Sequence, residues 1–320
     1  MSSENRRSVS SRVFRRNLLI LGTCLLAGVV VTVALFDVLL KSDWKSMRQD
    51  FTSHAKRRAD AIQSVIKEKE YVLLSLRAFY DASIYVERHE FTTCTCRFQE
   101  QHEEITALMW MPKVNCDERK AFEMQAMDDG IKGFQFVEKD DQGRLKRASV
   151  RNQYFPVYYV EPYEGNRSIL GYDAGSDTEQ LDLFQKIRDT GEAAATSPLR
   201  VMEQKEGVKE HGCVGESFLI SVPVYNSPAS DSTREERREN FRGFLVGRFS
   251  MEELVKNALA HVEPVGIDIQ LLFGPEGSGF LNLDFSRDEQ GEWRHKHRED
   301  ATDNVLARLC YQVITDVAGS

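Results

Sequence analysis

The sequence predicts an α+β fold, an antiparallel sheet with helices, joined to a long N-terminal helix. Three observations carry this reading. Residues 18–36 form an uncharged apolar run. Between Lys41 and Thr106 there is no Gly or Pro, and apolar residues recur in steps of three and four. Farther on, short helical and strand-like stretches mix without the regular repeat of a parallel sheet.

The 320 residues suffice for one large or two modest domains. Charged residues make up 29% and apolar ones 41%, enough for a buried core and a wetted surface. A formal net charge of −8 argues against nucleic acid as a partner. As a helix the apolar run spans roughly 28 Å, about the hydrocarbon thickness of a bilayer. It is too long for a cleavable signal peptide, and Val33-Ala34-Leu35-Phe36 offers no cleavage site. An uncleaved anchor over 18–40 is therefore expected, after a basic tail over 1–17.

Arg6, Arg7, Arg12, Arg15 and Arg16 precede the run, opposed by Glu4, whereas Lys41, Lys45 and Arg48 alternate with Asp43 and Asp50. This bias predicts a cytoplasmic N-terminus, with the remainder outside the cytoplasm, periplasmic or extracellular, on a single-pass chain of the inner membrane. Trp44, Met47, Phe51, Ala55, Ala59, Ile62, Ile66, Leu73, Leu76 and Tyr80 mark one face of a stalk helix over 41–89. Such a helix serves as a homodimer stalk or packs on its own domain. Of six cysteines, Cys24 falls in the apolar run, which leaves an odd number. One disulfide is expected among Cys94, Cys96 and Cys116.

A second helix is predicted over 90–104 and a strand over 105–111, stopping at Pro112. Asn115 and Glu118 open a helix through Arg119, Phe122 and Met127 to Gly130. Strands follow at 134–138 and 150–160, around the Asp140-Asp141-Gln142-Gly143 turn. In the latter, Asn152, Tyr154, Pro156 and Tyr158 share one face by period-two alternation, and Pro156 belongs at an edge or bulge. Ser176 and Glu179 cap a helix ending at Gly191. Strands are predicted at 196–202, 216–224 and 243–249, an exposed loop at 226–240, and a helix from Ser250 to about Leu259. Two more strands follow at 267–273 and 280–285, then a charged stretch and an apolar run over 306–317.

The blocks Leu108-Met109-Trp110-Met111-Pro112, Glu118-Arg119, Val150 to Val157, Leu170-Gly171-Tyr172-Asp173, Thr196-Ser197-Pro198-Leu199, Val222-Pro223-Val224-Tyr225 and Gly243-Phe244 occur in this order. In that joint order the chain resembles the CHASE family of extracytoplasmic sensor domains. The resemblance implies two PAS-like subdomains, a sensor part over 90–259 and a membrane-proximal part over 260–320. It also implies a small-ligand pocket, for which Asn152, Tyr154, Tyr158, Leu170 and Thr196 are the candidate lining, the ligand's identity being open. Family members feed histidine kinases or diguanylate cyclases, so the sequence is expected to be a fragment of a longer receptor. The alternative is a membrane-anchored interaction or dimerisation module that binds no ligand.

Catalytic chemistry finds little footing. His295 and His297 sit in a charged run that reads as a solvated face. The loop Gly274-Pro275-Glu276-Gly277-Ser278-Gly279 lacks the Lys and Ser/Thr of a phosphate-binding loop, and Gly215-Glu216-Ser217-Phe218 lacks the closing Gly of a nucleophile elbow. No enzyme activity, metal site or cofactor is expected.

Overall fold

A computed structural model describes residues 4–196, 217–226, 233–262, 269–273, 281–287 and 293–296. The chain divides into two units, Met1–Arg57 and Arg58–Ser320. The first helix, α1, runs Glu4–Asp81. In the first unit its apolar side chains, Leu21, Leu26, Val30 and Phe36 among them, are exposed. Thr32 Oγ1 donates to the Gly28 carbonyl at 2.8 Å, so the hydroxyl is satisfied within the helix. Among the described residues this is the one helix long and apolar enough to cross a membrane.

In the second unit the same helix turns a stripe inward. Ile62, Val72, Leu73, Leu76 and Tyr80 are buried, the last three spaced by three and four. A bend of the chain leads to α2 (Arg88–Gln101), which Glu87 and Glu90 open as a reciprocal capping box. Then come β1 (Ile105–Pro112), β2 (Val114–Asn115), α3 (Arg119–Asp128), β3 (Val137–Lys139), β4 (Leu145–Arg147), β5 (Gln153–Tyr154) and β6 (Tyr159–Glu161). A short turn, α4 (Tyr163–Asn166), precedes α5 (Thr178–Thr190) and β7 (Ala194–Thr196). The rest is β8 (Ser217–Tyr225), α6 (Arg234–Glu239), β9 (Phe241–Ser250), α7 (Met251–Leu259), β10 (Ile269–Phe273), β11 (Leu281–Arg287) and β12 (Trp293–Lys296).

The main sheet has five antiparallel strands in the order β6-β1-β9-β8-β7, and β10-β11-β12 form a second, three-stranded antiparallel sheet. The fold is thus α+β and antiparallel, as the sequence predicts. Both faces of the main sheet are covered. Trp110, Phe218, Ile220, Val222, Leu245 and Phe249 pack with Leu73, Leu76 and Tyr80 of α1, Phe91 of α2, and Leu254 and Val255 of α7. The opposite side chains, Met109, Met111, Leu219, Phe244 and Val246, pack with Phe184 and Ile187 of α5.

Four predicted details need correction. The stretch 150–160 is two short strands instead of one, because Pro156 has no N–H and Asp173 takes over the pairing. Asp173 Oδ1 accepts from Phe155 N at 2.7 Å, and Val157 N donates to the Tyr172 carbonyl at 2.9 Å. Asp177 caps α5 in place of Ser176, accepting from Glu179 N and Gln180 N. The predicted loop 226–240 contains α6, opened by a Thr233–Glu236 capping box. Cys94, Cys96 and Cys116 are free thiols; Cys94 and Cys96 lie on α2, and the Cys96 thiol bonds the Thr93 carbonyl. The predicted segments 197–202 and 306–317 lie outside the described residues.

A buried charge cluster fastens α1 to the turn between α2 and β1. Lys69 is fully buried; its ammonium pairs with Glu104 and donates to His102 Nδ1 at 2.9 Å and Glu68 Oε1 at 3.2 Å. Removing one partner strands the other charge in the core. Lys69→Met should therefore destabilise the fold by ~3–5 kcal/mol, and adding Glu104→Leu should recover most of the loss in denaturant titrations. At Gly171 φ is +78°, and a Cβ there would overlap the Gln135 carbonyl oxygen. Gly171→Ala should cost more than about 2 kcal/mol, read in the same titrations; a neutral effect would refute this backbone geometry.

Candidate functional site

The aromatic stretch after β4 divides its side chains between the two cores. Tyr154 is fully buried against Phe136, ring centroids 5.5 Å apart, with the Arg119 guanidinium 5.1 Å from its ring centre. Its hydroxyl donates to the Ser149 carbonyl at 3.1 Å and accepts from Arg151 N at 3.0 Å and Arg119 Nη1 at 3.3 Å. Arg119 itself is held by Glu123 Oε1 at 2.9 Å and the Ala148 carbonyl at 2.8 Å. Tyr158 is buried among Phe122, Phe134 and Tyr159, and its hydroxyl donates to the Phe122 carbonyl at 3.3 Å. Burial pushes that phenol upward, so it stays protonated and a donor.

The other three predicted residues lie elsewhere. Asn152 is exposed, and its carbonyl accepts from Cys116 N. Leu170 is half-buried and touches both cores. Thr196 ends β7, opposite Leu219 of β8; the position of its side chain lies outside the description. Tyr154 and Tyr158 thus share the core on the α1 side, and Asn152 does not join them.

A second ion network explains why the chain bends at 155–157. Arg151 bridges Glu138 and Asp173, the latter at 2.8 Å. Asp173 is fully buried, which pushes its carboxyl up; bonds from Phe155 N, the Arg151 charge and Gly175 N pull it the other way. Neither network leaves a charge free for chemistry.

The sheet face toward α5 differs. Its wall is aromatic: Phe184 stacks on Phe244 at 4.2 Å between ring centroids, and Phe155 and Phe241 lie 5.5 Å and 4.7 Å from Phe244. Gln180, Phe184 and Ile187 form the buried stripe of α5. On β8, Ser221 shares this side with Leu219 by strand alternation and is fully buried. Ser221 Oγ and Gln180 Nε2 are both buried without a hydrogen-bond partner. Each unmet group costs about 1–3 kcal/mol, so two on one face call for an explanation. Ser221 Oγ can donate or accept, and Gln180 Nε2 can donate. Sequence reasoning passed over Ser221, although it is the lone polar residue between Phe218 and Val224.

An open cleft of about 470 Å³ lies where α5 ends, lined by Asp182, Gln185, Lys186, Asp189, Arg234 and Arg238. The guanidiniums of Arg238, Arg234 and Arg188 hold the Asp189 carboxyl well below the usual carboxylate range. Arg237 Nε and Tyr225 Oη bond the Asp189 and Arg188 carbonyls, so this cluster closes the helix C-terminus. Among the described residues no group of three His, Cys, Asp or Glu side chains is arranged to hold a metal.

The model of the CHASE domain matches residues 85–279. The chain is similar to hybrid signal transduction histidine kinase A of Dictyostelium discoideum, 23% identical over 238 residues, 73% of this chain and 11% of that protein. It is similar to probable histidine kinase 4 of Oryza sativa subsp. japonica, 32% identical over 114 residues, 35% of this chain and 10% of that protein. A germination-specific adenylate cyclase of Dictyostelium discoideum is 22% identical over 240 residues, 74% of this chain and 26% of that protein. The chain therefore spans between about a tenth and a quarter of the length of these relatives. With the match extending from the bend after α1 into the second sheet, the chain belongs to the CHASE domain family.

Proposed function

We propose that this chain is the membrane-anchored sensing part of a signalling receptor, taking a small molecule and passing its presence through α1 to a cytoplasmic output. Membership of a family found in histidine kinases and a cyclase supports the signalling role. The observation that carries the ligand is the pair of buried, unpartnered groups, Ser221 Oγ and Gln180 Nε2, on the aromatic face under α5. Of the lining expected from the family, Leu170 touches this face, whereas Tyr154 and Tyr158 pack on the α1 side and Asn152 is exposed. The chain itself is proposed to be non-catalytic, with a kinase or cyclase output supplied elsewhere. The basic residues before the apolar run favour a cytoplasmic N-terminus, and two PAS-like subdomains match a five-stranded and a three-stranded antiparallel sheet. Trp44 and Met47, exposed on one helix face, suit a homodimer stalk.

A second reading, an interaction module without a ligand, is favoured by one observation. Tyr154 and Tyr158 are packed into the core with their hydroxyls bonded, so neither lines open space.

Thermal-shift screening of a neutral metabolite library against the full chain in detergent separates the two. On the sensing reading a compound present at 100 times its Kd stabilises the protein by about 2.7 kcal/mol. Ser221→Ala with Gln180→Leu should raise the melting temperature without compound and abolish that response. A compound that stabilises the parent and the double variant equally would place its site elsewhere, and a library without hits would favour the interaction module.

A further inference from the structure

The last turn of α1 is fastened by a residue whose neighbours on the same strand reach the opposite core. Arg242, the second residue of β9, is half-buried; its Nη1 donates to the carbonyls of Tyr80 at 3.0 Å and Ser83 at 3.1 Å. Its Nη2 donates to the Ile84 carbonyl at 3.1 Å, and the guanidinium lies 5.9 Å from the Tyr80 ring centre. One charged side chain thus serves three main-chain carbonyls at this helix end, that of Tyr80 also accepting from Ser83 N at 3.1 Å. The flanking Phe241 and Phe244 belong to the aromatic core under α5. Lys113 N donates to the Arg242 carbonyl at 2.8 Å, and a Cβ on Gly243 would strike the backbone at Met111 and Pro112, so this point of the strand has no slack. Tyr80 in turn packs on Trp110 of β1, ring centroids 4.5 Å apart.

We propose that Arg242 is the coupling residue by which packing on the α5 side of the sheet acts on the end of α1. The inference rests on the sensing role proposed above and assigns its route out of the site. A change of packing at Phe244 shifts β9 against α5; Arg242 moves with the strand and pulls on, or releases, the carbonyls of Tyr80, Ser83 and Ile84. Leu73, Leu76 and Tyr80 hold α1 to the sheet by apolar packing, whereas Arg242 grips the helix end by hydrogen bonds with direction. Small strand movements therefore register there first.

The test needs no ligand. Hydrogen exchange is followed on the full chain in lipid nanodiscs, over residues 78–86, with α2 as an internal reference. Arg242→Gln removes charge-assisted bonds, so exchange over 78–86 should rise about tenfold or more while α2 changes less than about twofold. Arg242→Lys, which keeps the charge but loses the fork, should fall between. Phe184→Leu loosens the stack on Phe244 and should alter exchange over 78–86 several-fold in the parent, but by less than about twofold in the Arg242→Gln background. Equal effects of Phe184→Leu in both backgrounds, or parent-like exchange in Arg242→Gln, would overturn the proposal. If Arg242→Gln does not fold, the same comparison in Arg242→Lys decides. A chain that responds to compounds through Ser221 yet fails this test loses only the coupling route, and the reverse outcome loses only the ligand.

Discussion

Burial of both faces of one antiparallel sheet is the constraint on which the rest of this structure depends. An antiparallel sheet commonly leaves one face to water, and its strands then alternate apolar and polar. Here β1, β8 and β9 are apolar on both sides, because α1, α2 and α7 cover one face and α5 the other. Strand β9 carries the consequence. Leu245 and Phe249 face one core, Phe244 and Val246 the other, and at Gly247 a side chain would collide with the Phe249 ring and Leu73. A helix outside the sheet is thereby made part of the core, so a displacement of α1 is felt by the strands and the reverse.

Polar groups in such a sandwich must be matched inside it. Most are. Arg119 and Glu123 close the region around Tyr154, Arg151 and Asp173 hold the bend at Pro156, and Lys69 and Glu104 anchor the middle of α1's buried stripe. These pairs contribute little net stability over apolar replacements, since desolvation offsets their attraction. Their effect is on register: each fixes one stretch of irregular backbone that the apolar packing alone would leave able to slide.

That division also explains what the sequence could and could not tell. Elements with a local signal were legible. The apolar stripe of α1, the stop at Pro112, the Gly191 end of α5 and the Ser250 start of α7 each depend on residues within one turn. The break in 150–160 was not, because its cause, Asp173, lies 18 residues from Phe155 in the chain and meets it only in the fold. Helix α6 had its signal, Thr233 followed by Glu236, but the Ser, Pro and Arg composition around it reads as loop. Of the predicted lining, Tyr154 and Tyr158 were picked out for mixed polar and aromatic character. That character is real, and the structure shows its use: each hydroxyl satisfies a backbone group inside a core. Ser221 went unmarked because a lone hydroxyl in an apolar strand is ordinarily bonded to a neighbour, and only the fold reveals that this one is not.

The two cores differ in the kind of polar group they bury. On the α1 side, polar atoms of Tyr154, Tyr158 and Tyr159 find partners, and aromatic rings interlock from Tyr80 to Phe136. The Tyr80 hydroxyl of the same core is buried without a partner, so unmet groups occur on both sides of the sheet. On the α5 side two donors stay unmet within a wall of rings, an arrangement that weakens the fold unless something else completes it. Alanine or valine at position 221 would fit an apolar strand without an unmet group. In the proposed sensing role, an arriving molecule would supply the missing bond. Because β8 pairs along its length with β9, that bond would be made on the strand next to the one that carries Phe244 and Arg242. Ser221 pairs with Val246, two residues along β9 from Phe244 and four from Arg242.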